Sequence, residues 1–177
     1  MPVIGRARSA LLLVDFQARL MPAISGGAAA VANARRLIEA AQIFGVPVLV
    51  TEQNPSGLGA TLPELHKTAA ALFPKMTFDA CRMPGFLAAL PDRPDWVVAG
   101  CETHVCVLQT VLGLLHAGRR VFAVRDAMGS RHSESKETAL RRMECNGAEI
   151  VTAEMVLFEW LETAEDNRLR RIIELVR

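Results

Sequence analysis

Ala10-Leu11-Leu12-Leu13-Val14-Asp15 decides the fold. Five apolar residues run without alternation and stop at a carboxylate, which is the pattern of a strand covered on both faces inside a parallel sheet. Downstream, Ala30, Ala34, Leu37, Ile38, Ala41 and Phe44 recur at helical spacing. Gly45 then supplies the stop, and Pro47 bars continuation into the next apolar run, Val48–Thr51. The three segments make a βαβ unit.

The alternation continues along the chain. Pro55, Gly57, Gly59 and Pro63 mark the region from Glu52 to Phe73 as a loop with a short helix around Glu64–Leu72, and a short strand is expected near Lys75–Phe78. Gly85–Leu90 fits a short helix, and Trp96–Ala99 reads as a buried strand ending at Gly100. A largely apolar helix follows, with Cys106 in its first turn and Gly118 at its end. Val121–Val124 reads as a strand ending at Asp126, Ser133 as the N-cap of a helix through Met143, and Ala148–Val151 as the last strand. Thr152 can cap a helix through Trp160, and Leu169, Ile172, Ile173 and Val176 stripe a final helix. These elements predict a three-layer α/β/α sandwich with a mainly parallel, doubly wound sheet, formed by one domain spanning residues 1–177.

Composition excludes several functions. The 177 residues are 51% hydrophobic and 22% charged, which suits a compact core rather than disorder. Lys and Arg total 20 against 19 Asp and Glu, with the signs interspersed, so no nucleic-acid partner is expected. The pairs Arg35-Arg36, Arg119-Arg120, Arg141-Arg142 and Arg170-Arg171 read as solvated faces and strand starts. Asp15 and Gln109 interrupt the apolar runs, so no membrane span is expected, and Ala10–Val14 after Arg6 and Arg8 is too short for a signal peptide. A cytoplasmic address and reduced thiols follow, since Cys81, Cys101, Cys106 and Cys145 show neither a C-x-x-C pair nor a secreted framework.

In such folds, ligands bind outside the carboxyl ends of the strands, which selects Asp15, Gln53, Lys75, Cys106 and Asp126. Cys106 is the nucleophile of the set, and a helix N-terminus with a nearby ammonium would lower its thiol pKa; the same position suits a buried small hydrophobe. Asp15 could cap the following turn, or accept a thiol proton from the end of its apolar strand. Lys75 reads equally as a surface charge. His104 would have to fold back on its own turn to reach Cys106, which favours a loop hydrogen bond over a base. His66, His116 and His132 show no ligand spacing, and no metal site is readable.

Leu11-Leu12-Leu13-Val14-Asp15-Phe16-Gln17, Pro74-Lys75 and Gly100-Cys101-Glu102-Thr103-His104-Val105-Cys106-Val107-Leu108-Gln109-Thr110 together resemble the isochorismatase-like cysteine hydrolases over nearly the whole chain. Val50-Thr51-Glu52-Gln53-Asn54-Pro55-Ser56-Gly57-Leu58-Gly59, Ser130-Arg131 and Glu154-Met155-Val156-Leu157-Phe158-Glu159-Trp160-Leu161 are most similar to the isochorismatase-domain-containing subgroup. The resemblance implies an Asp15–Lys75–Cys106 triad, a cis peptide between Cys101 and Glu102, and an oxyanion hole from the backbone N–H groups of Glu102 and Cys106. It also implies a small-molecule substrate, no cofactor and a homo-oligomer, dimer or tetramer. Phe16, Gln17, Leu20, Gln53, Asn54 and Phe78 are the candidate substrate-binding residues.

Two departures shape the expectation. Where nicotinamidases of the family carry a metal-binding Asp-x-His block, this chain has Gln53-Asn54-Pro55. Isochorismatases proper cleave a vinyl ether without a nucleophilic cysteine, so Cys106 points to an amide-like C–N bond cleaved through a thioester. The alternative is a non-catalytic or redox-responsive interaction module in which Cys106 is only an oxidisable thiol.

Overall fold

In the computed structural model, which describes residues 3–67 and 69–177, the apolar run becomes strand β1 (Ser9–Val14), buried along its whole length. Its side chains alternate between two cores: Leu11 and Leu13 face one, Ala10, Leu12 and Val14 the other. Helix α1 (Gly27–Phe44) covers the first core. It ends where Gly45 enters the left-handed region and donates its N–H to Ala41 and Gln42.

The chain then passes through β2 (Val48–Gln53), the single turns α2 (Pro55–Leu58) and α3 (Pro63–His66), β3 (Ala71–Lys75), α4 (Phe86–Ala89) and β4 (Asp95–Cys101). A π-helical turn, Thr103–Val107, runs into α5 (Leu108–His116). β5 (Arg120–Gly129), α6 (Ser133–Cys145), β6 (Glu149–Val151), α7 (Ala153–Leu161) and α8 (Leu169–Val176) follow, and 3-10 turns lie at Arg6–Arg8, Met21–Ala23 and Ala80–Arg82. All strand pairs are parallel, in the order β3-β2-β1-β4-β5-β6. The order reverses between β1 and β4, and a doubly wound sheet opens its crevice at such a point. The three-layer α/β/α sandwich expected from the sequence is therefore the observed one, with α1, α7 and α8 on one face and α4, α5 and α6 on the other.

Several local expectations need correction. The helix expected over Glu64–Leu72 shrinks to α3, and Thr68 within that range lies outside the described residues. The strand expected near Lys75–Phe78 comes earlier, because Ala71–Lys75 pairs in register with Leu49–Gln53. Pro74 fits there because β3 is an edge strand, where a missing N–H costs no ladder bond. Asp126 does not reach the strand-end crevice. β5 continues past it to Gly129, and its Oδ1 accepts the Ala153 N–H at 2.8 Å, tying down the start of α7. Ser133 is the first residue of α6; the extended residue before it is His132.

β1 and β4 meet at Gly100, where the absent side chain is essential. A Cβ there would lie 2.4 Å from the Val14 carbonyl oxygen and 2.7 Å from Val14 Cβ. Both are backbone or branch atoms of the central strand and cannot swing away. Gly100→Ala is expected to cost at least about 3 kcal/mol of stability, which urea denaturation checks; an unchanged midpoint would show that β1 and β4 can separate freely.

Candidate active site

Asp15 ends β1 by turning into the left-handed region at φ 54°, a conformation that aspartate tolerates better than most residues. The turn aims its side chain across the carboxyl ends of the neighbouring strands, and the carboxylate has no solvent exposure. Oδ1 accepts the Thr51 hydroxyl at 2.6 Å, and Oδ2 accepts Lys75 Nζ at 2.8 Å. Thr51 stands opposite Val14 in the β1–β2 register, so sheet pairing brings its hydroxyl there. The Lys75 ammonium is likewise inaccessible; it also donates to Gln53 Oε1 at 2.8 Å and to the Phe78 carbonyl at 3.4 Å.

Cys106 comes from the other side of the switch point, on the π-helical turn, and is 6% exposed. Asp15 and Lys75 both approach closely enough to govern its ionisation. Burial first, then the Asp15 negative charge, push the thiol up to about 12, against the opposing pull of Lys75. This reverses the lowered value expected from a helix N-terminus. The pull of the ammonium is outweighed by burial and by the Asp15 charge. Burial and the neighbouring Asp15 carboxylate thus favour the protonated thiol.

The remaining candidate residues separate into groups. Gln53 has both ends of its amide engaged, Oε1 by Lys75 and Nε2 by the Met76 carbonyl at 2.8 Å, so it steadies the ammonium rather than facing a ligand. Gln17 is buried and holds the backbone of the same strand, accepting the Gln53 N–H and donating to the Gln53 and Gly59 carbonyls. Phe16 packs in the α1-side core without exposure and Leu20 packs against that core, so Phe16 and Gln17 cannot line an open pocket. The left-handed Asp15 sends the following chain inward, which a linear reading does not show. Asn54 is half-buried and Phe78, 51% exposed, stands at the surface beside Lys75. Next to Gln53, the buried Glu52 carboxylate accepts the Thr61 N–H and hydroxyl and closes the 54–61 loop.

The peptide joining Cys101 to Glu102 is cis. The Glu102 carboxylate accepts the Arg131 N–H and Nε–H. Burial works against its charged form, yet these Arg131 contacts and the nearby His104 hold its carboxyl below the usual range. His104 Nδ1 pairs with Ser130 Oγ at 3.0 Å, which makes it the loop-bonding residue that its position suggested. Among the described residues, no group of three or more His, Cys, Asp or Glu could hold a metal ion. The Gln53 amide, spent on Lys75 and Met76, does not fit a metal-binding role either. A surface hollow of about 550 Å³ lies apart from Asp15, Lys75 and Cys106, between Asp79, Cys81, Leu87 and α5.

A family model described as Isochorismatase domain matches residues 9–155. The chain belongs to the isochorismatase family. It is 36% identical to isochorismatase domain-containing protein 1 of Danio rerio over 97% of its own length and 62% of that protein's. The MAR1 ribonuclease structure from Caenorhabditis elegans shares 33% identity and superposes with a TM-score of 0.93, covering 98% of this chain and 92% of that one. The Escherichia coli YcaC gene product, titled an octameric hydrolase of unknown specificity, shares 26% identity at a TM-score of 0.89, covering 99% and 88%. No described helix in the isochorismatase-family chain is long and apolar enough to cross a membrane.

Burial makes the thiols of this family member a source of pH dependence. Cys81, Cys101 and Cys106 are each pushed up from 9.0 to about 12, with burial as the largest cause. The unfolded chain releases these protons near pH 9 while the folded chain keeps them until near pH 12. The native state thus binds more protons in that window, and stability that is complete below pH 9 falls as the pH rises. Urea midpoints are expected to decline from pH 9 towards 12, with a shallower decline in Cys101→Ala; equal slopes would count against the shift at Cys101.

Proposed function

We propose that the chain is a cysteine-dependent hydrolase that cleaves an amide-like C–N bond of a small molecule through a thioester. One observation carries the reading: a buried thiol, pushed up by burial and by Asp15, shares its site with that carboxylate, which an ammonium already fixes. As Cys106 Sγ attacks the carbonyl carbon, the thiol proton passes to Asp15 and the carbonyl π electrons move onto oxygen. The backbone N–H groups of Glu102 and Cys106 are the proposed donors to that oxyanion, and Lys75 offsets the negative charge of the site. The tetrahedral species collapses as Asp15 returns the proton to the leaving nitrogen, releasing an amine or ammonia and leaving the thioester. Asp15 next deprotonates a water, whose oxygen attacks the thioester carbon. Collapse expels Cys106, which regains its proton from Asp15.

The Lys75 ammonium is held in place by the Asp15 carboxylate, the Gln53 amide and the Phe78 carbonyl. Leu20, Asn54 and Phe78 are the sequence candidates that retain accessible surface for a substrate. The octameric title of the E. coli neighbour supports self-association of this chain as well. A redox-responsive module finds less support, since oxidation follows thiolate character and exposure, both of which are low at Cys106. RNA cleavage, named for the C. elegans neighbour, also finds less support, because basic and acidic residues nearly balance at 20 and 19.

The test is a panel of small amides, ureas and imides assayed for released ammonia, run beside Cys106→Ala. Wild type is expected to turn over at least one class, and Cys106→Ala to lose that activity by about 10⁴-fold or more while keeping its fold. An undiminished rate in the variant would reject covalent catalysis.

A further inference from the structure

Three successive residues after β4 are fastened to three successive residues at the end of β5. The Thr103 hydroxyl donates to the Gly129 carbonyl at 2.9 Å, and His104 pairs with Ser130. Arg131 then grips the Glu102 carboxylate twice, from its backbone N–H and its Nε–H, both at 3.0 Å to Oε2. The Glu102 side chain is only 10% exposed, whereas the Arg131 side chain is 56% exposed, so a surface cation neutralises a nearly buried anion. Glu102 in turn organises the turn that bears the thiol: its carbonyl accepts the N–H groups of Val105 at 3.1 Å and Val107 at 3.2 Å, the two neighbours of Cys106. Any drift of Glu102 would move both.

We propose that Arg131 is a positioning residue, whose clamp on Glu102 sets the turn carrying Cys106 and hence the alignment of its sulfur with the N–H groups of Glu102 and Cys106. The proposal rests on the cysteine-hydrolase reading above and assigns Arg131 no contact with substrate. Its chemistry is specific: a planar guanidinium orients a carboxylate through directed N–H bonds, and lysine, a point charge on a flexible stem, does so less well. Misalignment should weaken steps that build an oxyanion and spare those that do not.

Two reactions of Cys106 separate these cases. Acetyl transfer from p-nitrophenyl acetate forms the S–C bond through an oxyanion and expels p-nitrophenolate. Alkylation by iodoacetamide forms an S–C bond by direct displacement of iodide, with no oxyanion. In Glu102→Ala and Arg131→Ala, the acylation burst is expected to slow by about 10- to 100-fold while alkylation stays within about twofold, and Arg131→Lys should fall between Arg131→Ala and wild type. Unchanged acylation in both alanine variants would overturn the proposal. So would a parallel loss of both reactions with a lowered Tm, which marks a merely structural tie. If wild type itself shows no burst that depends on Cys106, the hydrolase reading fails first, and the clamp has no catalytic consequence.

Discussion

An ammonium and a carboxylate lie 2.8 Å apart with neither side chain reaching solvent, and much of the architecture around the strand ends serves to make that arrangement tolerable. Separating buried charges from water is costly unless every remaining donor and acceptor is matched. Here Thr51 takes the second carboxylate oxygen, Gln53 and the Phe78 carbonyl take the other ammonium protons, and Gln17 pins the backbone that presents Gln53. Removing one partner would leave an uncompensated charge in a dry site. The pair therefore constrains β1, β2 and β3 to one register, even though β3 is only half-buried and lies at the edge of the sheet.

Function follows from adding sulfur to this pair. On an exposed helix end, a cysteine beside a lysine would drift towards thiolate. Burial and the Asp15 charge instead push the Cys106 thiol up. In the hydrolase proposed above, such a site would make its nucleophile during the attack rather than before it, and a buried protonated thiol is a poor target for oxidants. The π-helical turn carries Cys106 beyond the end of β4, and the Glu102–Arg131 pair fastens that segment to the neighbouring strand end.

The sequence exposes the parts of this design that use uniform patterns. Ala10–Val14 is apolar on both faces, so β1 and the carboxylate at its end could be read directly, as could Gly45 and Pro47 after α1. β3 could not. Its alternating, half-buried residues and Pro74 resemble a loop until pairing with β2 fixes them. Asp126 was misplaced for a related reason: β5 runs on past the apolar stretch, and the side chain was already committed to α7. The hydroxyl of Thr51 and the guanidinium of Arg131 leave no local signal at all, because their partners lie 36 and 29 positions away and meet them only through sheet order. Phe16 and Gln17, candidates for pocket lining, are instead fully buried beyond the left-handed Asp15. The direction of the thiol shift is not legible locally, because it depends on how far burial and the Asp15 charge outweigh Lys75 once the fold brings them together.

The most direct test is a titration of Cys106 by the ultraviolet absorbance of thiolate, taken as the difference between the native protein and Cys106→Ser and repeated in Asp15→Asn. The account predicts that the thiol remains protonated through neutral and mildly alkaline pH, with a value near 12, and that replacing the Asp15 carboxylate lowers it. A thiolate already formed at pH 7 in the unaltered protein, or a titration indifferent to Asp15, would contradict it.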